Sequence, residues 1–287
     1  MAWSGEWTED KLDVFEKYVA AYLNVMKYNR DRYGWQLIYF DAFAGSGSNG
    51  CEADTSCYLF DKEEASVYKG AAERVLSIDG RGFDKYYFVD KDVGAIKALE
   101  ERLISFRANK RFKSGDANKH IAGFARLMRC NKSKCRLLVL IDPFGMQVDW
   151  ATVEQMRQTG IDLWILIPSG VIINRLLNNN GELIYIKKLE SFFGMTEQEI
   201  RQSFYATKQK KNLFNEETIV EKIPNAINKI TEIYLARLKT VFKYTINEPL
   251  AMYNSRNVPI YHFAFASNND TGVKIASQIV SRKQDRN

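Results

Sequence analysis

Gln36-Leu-Ile-Tyr-Phe-Asp-Ala-Phe-Ala-Gly-Ser-Gly47 passes within twelve residues from an apolar run, through a carboxylate, to two glycines. The first six residues, β-branched and aromatic, read as a buried strand that ends on Asp41. Glycine has no Cβ, so Gly45 and Gly47 allow the backbone to approach a ligand or a neighbouring loop closely. Outward from this stretch the same alternation recurs. Tyr86-Tyr-Phe-Val-Asp90 is a second short strand ending in an acid, with a helix expected over 93–106. Phe112 lies in a third strand before Ser114-Gly-Asp-Ala-Asn118, and a helix is expected over 119–129. Leu137-Leu-Val-Leu-Ile-Asp142 is the strongest strand, ended by Pro143; a helix over 150–158 and a fifth strand over 161–167 follow. Repeated strand–helix units of this kind build a mostly parallel sheet covered on both faces. The fold class is α/β, doubly wound and Rossmann-like.

Upstream, Leu12, Phe15, Val19, Tyr22 and Met26 recur at helical spacing, predicting an amphipathic helix from a cap at Thr8 to about Arg32. Downstream, the pattern changes after Pro168. Residues 182–225 read as short polar helices with a basic cluster at Lys208, Lys210 and Lys211, so 169–225 is expected as a helical insertion into a domain made of 1–168 and 226–287. A helix over 225–242, weak strands near 245 and 251–253, and a late strand at Ile260-Tyr-His-Phe-Ala-Phe-Ala266 complete the sheet, the last of them antiparallel. A final helix is capped near Asp270.

The 287 residues, 46% hydrophobic and 26% charged, suffice for a globular core. The most apolar segment, 161–173, is broken by Asp162, Pro168, Ser169 and Gly170, so no membrane span is expected. The opening Met-Ala-Trp-Ser-Gly-Glu-Trp has no basic region or apolar stretch, and a cytoplasmic protein is expected. Cys51/Cys57 and Cys130/Cys135 are separated by five and four residues rather than the two usual in finger-type zinc sites. Reduced thiols and no metal are expected. The net charge of +6 conceals an asymmetry: residues 1–100 carry twelve basic and eighteen acidic side chains, whereas 102–136 carry eleven basic and only Asp116. A local basic surface of that kind attracts phosphate backbones.

Ligands of open α/β sheets bind beyond the carboxyl ends of the strands, where Asp41, Asp90 and Asp142 share one rim. Gly45-Ser-Gly-Ser-Asn-Gly50 also matches G-x-G-x-x-G, which admits a dinucleotide enzyme, yet the strand-ending acid expected about twenty residues on is missing. The order D-x-F-x-G-x-G resembles instead the first motif of class I S-adenosylmethionine-dependent methyltransferases. That resemblance implies a cofactor site made of Asp41, Phe43, Gly45 and Gly47, with Asp90 and its neighbour Lys91 at the ribose and Asp116 and Ala117 at the adenine. It also places Asp142-Pro-Phe-Gly145 at the methyl-transfer motif. Base-amine methyltransferases carry D/N-P-P-Y/F there, to accept from the amine and to stack on the flipped base. Asp142, Pro143 and Phe144 fit in part; Gly145 stands where the aromatic is expected, leaving Phe144 or Trp150 to stack.

Y-x-D-A-F-A-G-S-G, F-V-D-K-D, L-x-x-I-D-P-F-G and a late Y-x-F-x-F-A-S-N together look like the three-Cys-motif partner family, TcmP, over nearly the whole chain. The resemblance implies a methyltransferase-like subunit that accompanies a radical S-adenosylmethionine-type protein bearing three cysteines. Three readings follow. They are a methyltransferase acting on an exocyclic amine of DNA or RNA, a non-catalytic S-adenosylmethionine-binding partner subunit, and a dinucleotide enzyme. Lys11 and Trp7 could reach the cofactor pocket or simply pack the first helix; His120 reads as a surface helix residue.

Overall fold

The computed structural model describes residues 6–45, 70–131, 134–211 and 216–285. Ser46, Gly47, Gly50, Cys51 and Cys57 lie outside them. Helix α1 (Glu6–Tyr33) leads into β1 (Gln36–Asp41), and α2 (Ala71–Leu76) precedes β2 (Lys85–Asp90). Then come α3 (Val93–Arg102), β3 (Lys110–Ser114), α4 (Ala117–Cys130), β4 (Cys135–Ile141), α5 (Trp150–Glu154) and β5 (Ile161–Ile167). Thr8 lies inside α1 and is buried rather than capping it. Helices α3 and α5 stop short of the expected ends; beyond α5, Gln158 takes a positive φ of 56°, which a helix cannot accommodate.

The sheet runs β3-β2-β1-β4-β5-β10-β8, where β8 is Tyr244–Thr245 and β10 is Pro259–Ser267; β9 (Leu250–Tyr253) also pairs with β10. Strands β1 to β5 are mutually parallel, and β10 is antiparallel to β5, β8 and β9. The late antiparallel strand is as expected. Alternate residues of the central strands enter two cores. Ile38, Phe40, Leu137, Val139, Ile141, Leu163 and Ile165 face α4, α5 and α9 (Ala226–Val241). Leu37, Tyr39, Leu138, Leu140, Trp164 and Leu166 face α1, α2, α3 and α10 (Asp270–Gln284). Burial on both faces explains why these strands are apolar throughout instead of alternating with polar residues.

Between β5 and α9 the chain forms a π-helical turn (Ser169–Ile173), α6 (Asn174–Leu176), α7 (Ile186–Phe193) and α8 (Glu197–Phe204), the last opened by a Thr196/Glu199 capping box. The second half departs from the expected helices: β6 (Tyr205–Lys211) and β7 (Glu216–Lys222) form an antiparallel hairpin. Positions 208, 210 and 211 therefore lie on a strand, and Lys208 is paired with Glu221 at 2.6 Å. Leu189, Phe192, Phe193, Ile200 and Phe204 of α7 and α8 join the core on the α9 face, with Phe192 stacked on Tyr234 at 4.8 Å.

Candidate functional site at the sheet switch point

Strand order reverses between β1 and β4: the chain proceeds outward through β2 and β3 on one side and through β5 on the other. In such sheets the connections at this point leave in opposite directions and open a crevice beyond the strand ends. Asp41 ends β1 in register with Leu140, and Asp142 follows the last residue of β4. Asp41, Phe43, Leu140 and Asp142 line a small cleft with Ala71 and Ala72 of α2 and Arg102 of α3. The sequence-predicted pair Asp41 and Asp142 is thus brought together.

The loop after β1 is fixed by its backbone. Ala42 N–H donates to Leu140 O at 3.0 Å and Ala44 N–H to Val89 O at 2.9 Å, turning the chain toward β2. Gly45 then lies hard against the end of β2. A Cβ there would come within 2.8 Å of Ala95 Cβ and 2.9 Å of Asp90 Cβ. Burial raises the Asp90 carboxyl above its usual range, while the N–H groups of Asp92, Gly45 and Lys91 oppose the rise by donating to it. These donors take up most of the roughly four acceptor positions of a carboxylate. Asp90 is therefore left with room for about one further donor. Lys91 itself is exposed.

Gly115 N–H donates to Asp90 O at 2.9 Å, joining the loop after β3 to the end of β2. Asp116 is the exposed N-cap of α4, accepting from Asn118 N–H at 2.9 Å, and Ala117 is buried in the first turn. Asn118 follows Asp116 and Ala117 in the first turn of α4. Its side chain donates to Gln147 O at 2.8 Å and accepts from Asp149 N–H at 3.0 Å, tying α4 to the loop after β4. That loop holds buried Pro143 and half-buried Phe144. At Gly145 a Cβ would sit 3.0 Å from Ile172 Cδ1, so a side chain at this position would require that tip to shift. Trp150 cannot supply the missing ring. It is 1% exposed, with Nε1 donating to Glu154 at 2.9 Å, its face under Arg237 and its edge on Tyr234.

Lys11, which by sequence could either reach the pocket or pack the first helix, is brought to the rim. From α1 its Nζ reaches Asp142 Oδ2 at 2.5 Å, and both side chains are almost fully enclosed. His262, on β10, lies behind the rim with Nδ1 2.7 Å from Ser169 Oγ and 3.0 Å from Thr231 Oγ1. Burial lowers its imidazole to about 4, so it is neutral near pH 7. Among the described residues no group of His, Cys, Asp and Glu side chains is arranged to hold a metal, and no helix is long and apolar enough to cross a membrane. Cys130 and Cys135 are free thiols.

Burial pushes the Asp41 carboxyl up to about 7; the Phe43 N–H and the Tyr39 hydroxyl oppose the rise, and Asp142 and Asp90 add to it. The folded state then keeps a proton that the unfolded chain releases near 3.8. Stability attributable to this proton falls as pH rises from about 4 to about 7. In Asp41→Asn, which retains an oxygen for the Phe43 N–H, urea unfolding should show a smaller loss between pH 5 and pH 8 than the parent shows. Asp162, pushed to about 6 by burial, contributes equally to both proteins. Equal slopes would mean that Asp41 is ionised in the fold.

No family model and no curated protein matches the chain. Among solved structures it is similar to protein LPL1258 from Legionella pneumophila, at 13% identity and a TM-score of 0.42, covering 93% of this chain and 98% of that one. It is also similar to an S-adenosylmethionine-dependent methyltransferase from Clostridium acetobutylicum, at 12% identity and a TM-score of 0.36, covering 88% and 92%. Likeness at that level is too remote to transfer an activity.

Proposed function

We propose that the chain is an S-adenosylmethionine-dependent methyltransferase whose acceptor is an exocyclic amine of a nucleic-acid base. The observation that carries the reading is the crevice between β1 and β4, where the Gly45 loop, Asp41 and Asp142 converge. A cationic sulfonium bound beside Asp41 would favour the ionised form of its carboxyl. The tight seat of Gly45 against Asp90 leaves bare backbone beside the acid that would meet the ribose. When bound, the cofactor would supply an already activated methyl group. Asp41, Phe43, Gly45 and Gly47 would border it, with Asp90, Lys91, Asp116 and Ala117 on the nucleoside side.

The chain's own task is to aim the amine. Asp142 would accept one amine N–H, and the Pro143 carbonyl a second, so that the nitrogen lone pair points into the crevice; Phe144 would flank the base. Alignment of this sort accounts for a large part of the rate of such transfers, and no strong base is required. Lys11 holds the Asp142 carboxylate in one orientation inside a site closed to water. The basic tract 102–136 fits a polynucleotide substrate, DNA or RNA.

Methyl transfer from tritiated cofactor to DNA and RNA should fall on the order of 10²-fold in Asp142→Ala, which removes the acceptor, by analogy with loss of one fixed hydrogen-bonding group. Calorimetric affinity for S-adenosylmethionine should remain within a few-fold. Failure to bind S-adenosylmethionine at millimolar concentration, with NAD binding instead, would return the loop to dinucleotide chemistry. A second reading has specific support. Asp142 is already engaged by Lys11, and Gly145 supplies no ring for stacking, which suits a non-catalytic partner of a three-cysteine protein. Cofactor binding without transfer to any nucleic acid would favour it.

A further inference from the structure

The face of the sheet that α4 covers is open at its β3 edge: Val89 of β2 is buried in the core under α4, Tyr87 is only partly covered, and Arg111 and Lys113 of β3 are exposed. Tyr87 of β2 pairs in register with Arg111 of β3, and Val89 with Lys113, so by strand alternation Lys85, Tyr87, Arg111 and Lys113 stand on this face. Phe112 points the other way, stacked on Phe88 at 5.3 Å. Along the adjoining flank of α4, Lys119, Gly123, Arg126 and Cys130 recur at helical spacing. Together with Tyr87 and Phe124 they line a groove of about 510 Å³. Its floor is aromatic: Phe124 packs on Tyr87 at 4.8 Å and on Phe40 at 4.5 Å. Tyr87 and Phe124 are both only partly covered, and Leu127 at the edge is 42% exposed.

Two observations separate this groove from an ordinary solvated helix face. Lys85, Arg111, Lys113, Lys119 and Arg126 make no ion pair with any described residue; cations without ion pairs occur elsewhere too, but here five of them gather on one sheet face and the adjoining helix flank. Gly123 sits in mid-helix, where it costs about 1 kcal/mol relative to alanine, yet a Cβ there would meet nothing within 4 Å. No neighbour within the described chain requires a glycine, and the bare helix backbone faces the groove.

Unpaired cations flanking a recessed aromatic floor match one kind of partner. Phosphates would lie on Lys119, Arg126, Arg111 and Lys113, and a base would stack at Tyr87 and Phe124. A duplex keeps its bases inside and would meet only the cations; an acidic peptide has no base to stack. We propose that this groove binds single-stranded nucleic acid and leads it to the switch-point crevice. Its lining starts at Lys119 in the first turn of α4, three residues after Asp116, and ends at Cys130; α4, fourteen residues long, spans about 20 Å. The proposal rests on the reading of the crevice as a nucleic-acid methyltransferase site, though the binding itself does not require catalysis.

Fluorescence anisotropy of the whole chain tests it, using labelled single strands of about 20 nucleotides in RNA and DNA form, the matching duplex, and polyglutamate. Single strands should bind best, and weaken steeply between ~50 and ~200 mM salt. Lys119→Glu/Arg126→Glu should weaken single-strand binding by about tenfold or more. Gly123→Glu, which adds bulk and negative charge while favouring the helix, should do the same without lowering the melting temperature. Both variants should bind S-adenosylmethionine as the parent does. Unchanged single-strand affinity in Gly123→Glu, or equal preference for the duplex or polyglutamate, overturns the groove. Methyl transfer to single strands that both variants leave intact at low salt would sink the groove and keep the enzyme. Groove-dependent binding with no transfer would keep the groove and sink the enzyme.

Discussion

Replacing Lys11 with methionine should cost about 3–5 kcal/mol of unfolding free energy, the largest loss expected from any single change at the site. Methionine matches the lysine stem in length and apolar character, so the packing of α1 on the sheet is nearly preserved. What is lost is the ammonium 2.5 Å from Asp142, in a place where neither side chain is more than 3% exposed. The buried Asp142 carboxyl at the end of β4 would lose its counter-charge. For a chain of this size the melting temperature should drop by roughly 6–10 °C. A double-mutant cycle isolates the pair: Asp142→Leu alone strands the lysine, whereas Lys11→Met/Asp142→Leu removes both charges and should recover much of either single loss. If Lys11→Met unfolds within about 0.5 kcal/mol of the parent, then Asp142 does not depend on this contact, and its fixed orientation in the proposed transfer loses its basis.

That ion pair also shows where sequence reasoning reached and where it stopped. Strands β1 and β5 have the bounds expected from sequence, because a strand buried on both faces is a continuous apolar run and its ends are marked by Asp41 or Pro168. The rim acids were legible for the same reason: each follows such a run. Lys11 and Asp142 stand 131 residues apart, and nothing local connects them. A signal did exist. Thr8, Lys11, Phe15, Tyr18 and Tyr22 occupy one stripe of α1, and a lysine at a core position of an amphipathic helix must meet a buried acceptor. Which acceptor it meets is settled only by the sheet.

The β6–β7 hairpin was illegible for a different reason. Its strands, Tyr-Ala-Thr-Lys-Gln-Lys-Lys and Glu-Glu-Thr-Ile-Val-Glu-Lys, are polar, so no apolar alternation announces them. Positions 210 and 211 pair with 217 and 216, setting lysine opposite glutamate in register, and that complementarity is visible only once the partner strand is known. The groove beside α4 depends likewise on placement. Residues 87, 111 and 119–130 belong to three elements, and the charge count over 102–136 flagged their composition without showing that one face gathers them.

Substituting Gly45 should separate cofactor binding from folding more cleanly than any other change at the crevice. The atoms a new side chain would strike are Ala95 Cβ at 2.8 Å, Asp90 Cβ at 2.9 Å and Asp90 Cγ at 3.0 Å. None is the mobile tip of a long side chain. Ala95 belongs to the first turn of α3, held by Asp92 accepting from Gly94 N–H at 2.7 Å and Ala95 N–H at 3.1 Å. The β1 loop must therefore lift away from β2, breaking the Gly45 N–H contact to Asp90 and moving the backbone that would border the cofactor. Overpacking of this kind costs about 1–3 kcal/mol. Spent on the binding-competent loop, that corresponds to roughly tenfold weaker S-adenosylmethionine binding for Gly45→Ala and about 100-fold for Gly45→Val. The central strands and both cores are untouched, so the melting temperature should fall far less than in Lys11→Met. Calorimetric titration beside thermal melting reads both quantities on the same samples. Full affinity in Gly45→Val would show that the cofactor does not lie over this loop, and the switch-point reading would have to move elsewhere on the rim.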